Sequence, residues 1–119
     1  MSNSGSKVPP VDVETYVPTA ITVVRRSRGW PGLFLQERRG NSGAVHYPAG
    51  IRQHMLYLWL RPLSAELVAG GTQHTLHYGE GEARFTPAGR PVAFRWHGDV
   101  HVLMLGFERW YLERVSAEL

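Results

Sequence analysis

The stretch Gly79–Gly89, GEGEARFTPAG, places turn residues on both sides of one short run of β-forming residues. Gly79-Glu80-Gly81 predicts a turn, Ala83–Thr86 predicts a strand, and Pro87-Ala88-Gly89 ends that strand. Glycine supplies the backbone conformations that tight turns need, and proline cannot continue a hydrogen-bonded ladder. The stretch therefore indicates a domain built from short strands and sharp turns.

The same pattern of short runs and turns extends in both directions from that stretch. The further runs that predict strands are Ala20–Arg26, Leu33–Arg38, Val45–Tyr47, His54–Leu60, Ala65–Val68, Gln73–Tyr78, Val92–Trp96 and Val100–Phe107. Turn signals about every 8–12 residues favour a β-barrel or a double-sheet sandwich. Only residues 108–119 have the 3.6-residue spacing of a helix. We therefore predict an all-β domain over residues 20–107 with a C-terminal helix over 108–119.

The first 19 residues differ from the rest. They are polar, contain several prolines and show no period of 2 or 3.6 residues. Such a segment buries too little apolar surface to order by itself, so we expect residues 1–19 to form a flexible arm that orders only when held.

Composition narrows the class of protein. The chain has 119 residues, no cysteine, 43% hydrophobic residues and a formal net charge of +3. This length suits one domain, and the lack of cysteine excludes disulfides and thiolate chemistry. No apolar run reaches the roughly 18 residues of a membrane span, and no signal-peptide pattern opens the chain. We expect a cytoplasmic domain without membrane contact. Its arginine clusters, Arg25, Arg26 and Arg28 and also Arg38 and Arg39, are expected to lie on solvated strand faces.

One motif resembles a known superfamily. Gly81, followed after five residues by Pro87-x-Gly89, resembles the second conserved motif of the cupins, in which glycines shape the turns that flank a barrel strand. The resemblance implies a jelly-roll β-barrel.

Four more pieces narrow that resemblance, in order and at compatible spacings. Arg28–Leu33, His54–Leu60, Glu66–Gly71 and Trp96–Asp99 resemble successive motifs of the N-terminal sensor domain of AraC-type bacterial transcription regulators. The resemblance implies a barrel that binds a small effector, often a sugar or an aromatic acid, or that serves dimerisation. In that family a separate domain reads DNA, so DNA contact is expected only through a domain absent from this chain.

Cupin enzymes hold a metal ion through histidines and a carboxylate, and the resemblance fails at those positions. Leu56 stands two residues after His54, and Val92 occupies the place of the second motif's histidine. His74 and His77 are three apart on a predicted strand, so they face opposite sides. We expect no metal, no cofactor and no catalytic residue. A free-standing cupin binding protein or metal-dependent enzyme is kept as an alternative.

The ligand-binding hypothesis is based on two pairs of residues. Tyr57 and Trp59 share one face of a central strand, and Arg95 and His97 share a face of a later one. Aromatic rings with an arginine and a histidine suit a sugar or a carboxylate-bearing aromatic. The alternative is that Tyr57 and Trp59 lie outside, while the leucines that alternate with them fill the barrel.

The C-terminal helix carries the dimerisation hypothesis. Its apolar stripe is Tyr111, Leu112, Val115 and Leu119, and Trp110 lies off the stripe as a candidate interface residue. A helix this short is not stable alone, so it packs on its own barrel or pairs with a second copy. We expect a homodimer, in which the effector shifts an equilibrium through the arm folding over the barrel mouth. A purely structural dimerisation module is the third alternative.

Overall fold

The computed structural model describes residues 8–119, which form nine strands and one helix. The elements are β1 (Ile21–Ser27), β2 (Leu33–Gly40), β3 (Gly43–Tyr47), β4 (His54–Trp59), β5 (Leu63–Ala69), β6 (Thr72–Tyr78), β7 (Ala83–Thr86), β8 (Val92–His97), β9 (Val100–Phe107) and α1 (Arg109–Glu118). Every predicted strand and the predicted helix form, and their ends lie within two residues of the predicted ones. In the described range no helix is long and apolar enough to cross a membrane.

The strands make two antiparallel sheets that enclose the core. One sheet has the order β1-β2-β9-β4-β7 and the other β3-β8-β5-β6. Only β1–β2 and β5–β6 pair as neighbours in sequence; the other pairings join distant segments, such as β2 with β9. This arrangement is a double-sheet jelly roll, so the predicted all-β fold with a C-terminal helix is confirmed.

Alternation along the central strands sets which side chains face inward. In β9, Val102 and Met104 are buried, while Leu103 between them is only half-buried on the outer face. β4 pairs with β9 so that Tyr57 lies opposite Met104 and Trp59 opposite Val102. Residues paired in this way share one face of the sheet. Tyr57 and Trp59 therefore point into the barrel, and the alternative that placed them outside is wrong.

The turns around β7 explain the opening motif. Gly81 and Gly89 have φ angles of +85° and +78°, a left-handed conformation that residues with a Cβ rarely adopt. These two glycines reverse the chain on each side of β7, which pairs with β4. The motif therefore positions the strand that borders the inward-facing aromatic residues.

Residues 11–13 pack against the barrel, residues 8–10 are exposed, and residues 1–7 of the predicted arm lie outside the described range. Val11 forms a parallel bridge with Ile51, and Val13 is a buried member of the core. The boundary drawn at residue 19 therefore does not separate an arm from the core, because Val13 contributes to it.

Candidate functional site

A cavity of about 140 Å³ lies between the two sheets and opens on one side to solvent. The inward-facing residues of β4 and β8 provide most of its aromatic wall. Trp59 lies 6.0 Å from Tyr57 and 6.4 Å from Phe94, centroid to centroid, and Phe94 lies 6.1 Å from Trp96. The planes of these rings are close to parallel, so the four rings form a continuous stack from one sheet to the other.

One charged residue enters the cavity wall from β2. Arg38 is 3% exposed, on the inner face of the strand with Phe34 and Gln36. Its Nε donates to Gln36 Oε1 at 2.9 Å, and its Nη2 donates to the carbonyl of Val13 at 2.7 Å. Burial lowers the pKa of Arg38, because removal from water disfavours the charged form.

The N-terminal segment, residues 11–15, closes one side of the cavity through Val13. Buried polar side chains hold its backbone: Gln53 Oε1 accepts from the Val13 N–H at 3.2 Å, and Gln36 Nε2 donates to the Glu14 carbonyl at 2.9 Å. Backbone outside helices and sheets lacks a regular ladder of hydrogen bonds. The buried N–H and C=O groups of this segment therefore need partners such as these side chains. Arg38, which binds the Val13 carbonyl, thus touches both the segment and the cavity.

Two tyrosines and one tryptophan add further polar groups to the wall. Burial raises the pKa of Tyr47 to about 12, and burial also raises the pKa of Tyr57. Both phenols therefore stay protonated at neutral pH and keep an O–H to donate. The buried Nε1 of Trp59 has no hydrogen-bond partner among the described residues.

The structure brings together only half of the predicted ligand-binding set. Tyr57 and Trp59 line the cavity, and their role in binding stays a prediction. Arg95 and His97 are exposed on the outer face of β8, where His97 Nε2 lies 3.6 Å from Glu66 Oε2. The prediction that they lie beside the aromatic pair is wrong, because β8 turns its large apolar side chains, Phe94 and Trp96, toward the core. The four residues do not form one site.

Arg38 is the cavity residue that the sequence interpretation missed. The sequence predicts a solvated position for Arg38, as for Arg39, and this prediction is wrong, because Arg38 is almost fully buried. The spacing along β2 could have indicated its position. Arg38 lies two residues after Gln36 and four after Phe34, so all three side chains share one face of the strand. From the sequence, however, the face with Leu33 and Leu35 is the more apolar one and would be expected to face the core. In the structure that face is the outer one.

The cavity does not fit a metal ion. Val92 lines it at the position where the resemblance would require a histidine, and no histidine, aspartate or glutamate of the described chain is among its lining residues. Residues 8–119 also contain no cluster of three such side chains. His74 and His77 are exposed on β6, and His54 Nδ1 accepts from the Ala88 N–H at 2.9 Å.

The candidate dimerisation residues lie on a helix that touches the barrel only at its start. Trp110 and Tyr111 lie against Gly32, and Tyr111 packs near Phe107. Trp110 is nonetheless 45% exposed, and no residue of α1 is buried. Of the other predicted dimerisation residues, Val115 and Leu119 are exposed and Leu112 is half-buried. Dimerisation through them stays a prediction.

Comparisons with known proteins support the fold. No family model matches the chain, and no curated protein matches it. Among solved structures, a candidate mannose-6-phosphate isomerase from Ralstonia eutropha has a TM-score of 0.59 at 15% identity, covering 91% of this chain and 97% of its own. A cupin superfamily protein from Desulfitobacterium hafniense has 0.58 at 12%, covering 78% and 82%. An HTH_3 family transcriptional regulator from Vibrio cholerae has 0.54 at 10%, covering 73% and 49%. At such identities the likeness shows the fold alone, and the jelly roll is of the cupin type.

Proposed function

We propose that this barrel is the effector-binding and dimerisation domain of an AraC-type transcription regulator, located in the cytoplasm. The sequence motifs support this proposal, and so does the cupin-type fold, which the chain shares with the HTH_3 family transcriptional regulator from Vibrio cholerae. The observation that carries the proposal is the cavity of about 140 Å³ that the N-terminal segment closes on one side. The proposal assigns no catalytic residue and no cofactor.

A chain of contacts connects this cavity with the C-terminal helix. Arg38 holds the Val13 carbonyl, and the adjacent Asp12 Oδ2 lies 3.2 Å from Arg52 Nη2. Arg52 also donates to both oxygens of Glu108, at 2.6 and 3.0 Å, and Glu108 is the N-cap of α1. A ligand that moves Arg38 would therefore shift the N-terminal segment and, through Arg52, the base of the helix. This is the coupling that a sensor domain needs.

A thermal-shift measurement tests the proposal. The 119-residue chain is heated with glucose, benzoate or Mn²⁺, each with and without EDTA. A ligand at a hundredfold excess over its dissociation constant adds about 2.7 kcal/mol of stability, which raises the midpoint by several degrees. We expect one organic class to raise the midpoint regardless of EDTA.

A pair of variants on β5 shows whether the cavity is the site. Leu67 lines the cavity, and its neighbour Val68 is exposed on the opposite face. We expect Leu67→Phe, which fills the cavity, to abolish the ligand-induced shift, and Val68→Phe to preserve it. Stabilisation by Mn²⁺ that EDTA reverses would instead favour the metal-dependent cupin enzyme. No shift with any ligand would favour a purely structural dimerisation module.

A second candidate function, a purely structural dimerisation module, has its own support in the helix. After its first turn α1 leaves the barrel, so Val115 and Leu119 gain little from self-packing. A ten-residue helix is marginal in water without a partner. A second copy that pairs through the same stripe would supply that partner and produce a homodimer.

A further inference from the structure

We infer that the ligand of this cavity is a small organic anion, a carboxylate on an apolar body of about one ring, and that Arg38 binds its carboxylate. The inference rests on the proposed function and narrows it, because the resemblance alone allows a sugar as readily as an acid. Four features of the cavity carry it: an unpaired buried cation, hydrogen-bond donors without acidic acceptors, aromatic walls and a restricted volume.

The first feature is the charge of Arg38. This guanidinium is almost fully removed from water, and both groups that accept its hydrogen bonds are neutral: the Gln36 side-chain oxygen and the Val13 carbonyl. No aspartate or glutamate within residues 8–119 forms a salt bridge with it. Buried charges are normally paired, because an isolated one is costly to desolvate. An anion in the cavity would supply the missing counter-charge.

The second feature is an excess of donors over acceptors along the wall. Arg84 and Arg90 join Arg38 among the lining residues, and the described chain places no acidic side chain there. The hydroxyls of Tyr47 and Tyr57 remain protonated at neutral pH and can each donate. A carboxylate only accepts, and it matches the two-pronged geometry of a guanidinium. A sugar presents hydroxyl donors around its whole ring and would leave many of them without acceptors here.

The third and fourth features define the rest of the ligand. Trp59, Phe94 and Trp96 offer flat apolar surfaces, which suit a ring or a compact hydrocarbon group. The volume of about 140 Å³ is close to that of an engineered protein cavity that binds benzene. A benzoate-sized acid therefore matches the cavity in charge, shape and size.

The test compares benzoate with glucose and with benzamide, a neutral molecule of nearly the same shape as benzoate, by calorimetric titration of the 119-residue chain at pH 7. We expect benzoate to bind about tenfold or more tightly than benzamide, as expected for hydrogen bonds to a charged group. Arg38→Gln removes the charge and should abolish that preference. Arg39→Gln is the matched control, because Arg39 is the adjacent arginine on the exposed face of β2 and should leave it unchanged.

A second variant keeps the inference testable if Arg38→Gln does not fold. Tyr57→Phe retains the aromatic ring in the cavity and removes only the hydroxyl, so we expect several-fold weaker benzoate binding and a smaller loss for benzamide, because a hydrogen bond to a charged acceptor is the stronger one. Near-ultraviolet circular dichroism of each variant reports whether the core is intact.

The possible results separate this inference from the proposed function. Equal or tighter binding of benzamide or glucose would overturn the anion assignment and leave a sensing cavity in place. A benzoate preference that survives Arg38→Gln in a folded protein would overturn the role of Arg38. If none of the three compounds binds, both the sensing function and this inference fail.

Discussion

Close packing between β2 and β9 depends on one position without a side chain. Gly106 of β9 lies opposite Phe34 of β2, and a Cβ at Gly106 would overlap the Phe34 ring. The ring is buried in the core, where side chains are closely packed and cannot move aside without cost. The glycine is thus required for steric reasons, since its φ angle is not in the left-handed region.

We predict that Gly106→Ala lowers the free energy of unfolding by about 1–3 kcal/mol, the usual cost of overpacking a core. Urea denaturation monitored by tryptophan fluorescence measures it. Gly29→Ala is the control: a Cβ there meets nothing within 4 Å, so we expect a change of less than about 0.5 kcal/mol. Equal effects of the two substitutions would contradict the steric explanation.

At the scale of elements, the N-terminal segment is held by a titratable group. Asp12 accepts from Gln53 Nε2 at 2.7 Å and from the Glu14 N–H at 3.0 Å, and it lies beside Arg52. Burial opposes ionisation of Asp12, but these hydrogen bonds and the Arg52 charge together lower its pKa below the ordinary value of 3.8. A lowered pKa in the folded state means that the ionised form stabilises the protein.

We predict that stability falls as the pH drops below about 4, where Asp12 begins to protonate in the unfolded chain. Asp12→Asn should make stability depend less on pH in this acidic range, because an asparagine side chain does not titrate. Thermal midpoints from pH 5 to pH 2.5 measure both effects. Asp99→Asn serves as the control, since Asp99 is exposed and its nearest charge, on Arg61, is 3.8 Å away. An Asp12→Asn slope identical to the wild-type slope would show that the segment is not held through this carboxylate.

At the scale of the whole molecule, the open question is whether α1 pairs two copies. We predict that the wild-type chain sediments at about twice its monomer mass of 13.4 kDa. Val115→Glu places a charge in the apolar stripe and should shift the protein to monomer. Ala117→Glu adds the same charge on the opposite side of the helix and should leave the dimer intact.

Analytical ultracentrifugation distinguishes these cases. A monomeric wild-type chain would contradict dimerisation through Trp110, Tyr111, Leu112, Val115 and Leu119. If Val115→Glu and Ala117→Glu both remain dimeric, the copies associate through another surface. We expect Ala117→Glu to leave the thermal midpoint nearly unchanged and Val115→Glu to lower it, because association of two folded copies stabilises the folded state by mass action.

The sequence by itself determined the elements of this protein. The strands and the helix have their predicted ends within two residues, because glycine and proline act locally on the backbone wherever they stand. The turns at Gly81 and Gly89 are the clearest case, since both positions adopt left-handed conformations that glycine permits and other residues rarely adopt. The sequence alone also shows that position 92 is a valine and not the histidine that the cupin motif would require. The structure places this valine in the cavity wall.

Only the tertiary structure decided which face of each strand is inside. Strand periodicity of two separates the faces but does not say which one is buried, since that depends on pairing with distant segments. Tyr57 and Trp59 face the cavity because β4 aligns with β9, while Arg95 and His97 face solvent. Arg38 lies inside the barrel and donates to the carbonyl of Val13, 25 residues away in the sequence, and no local pattern in β2 encodes that contact.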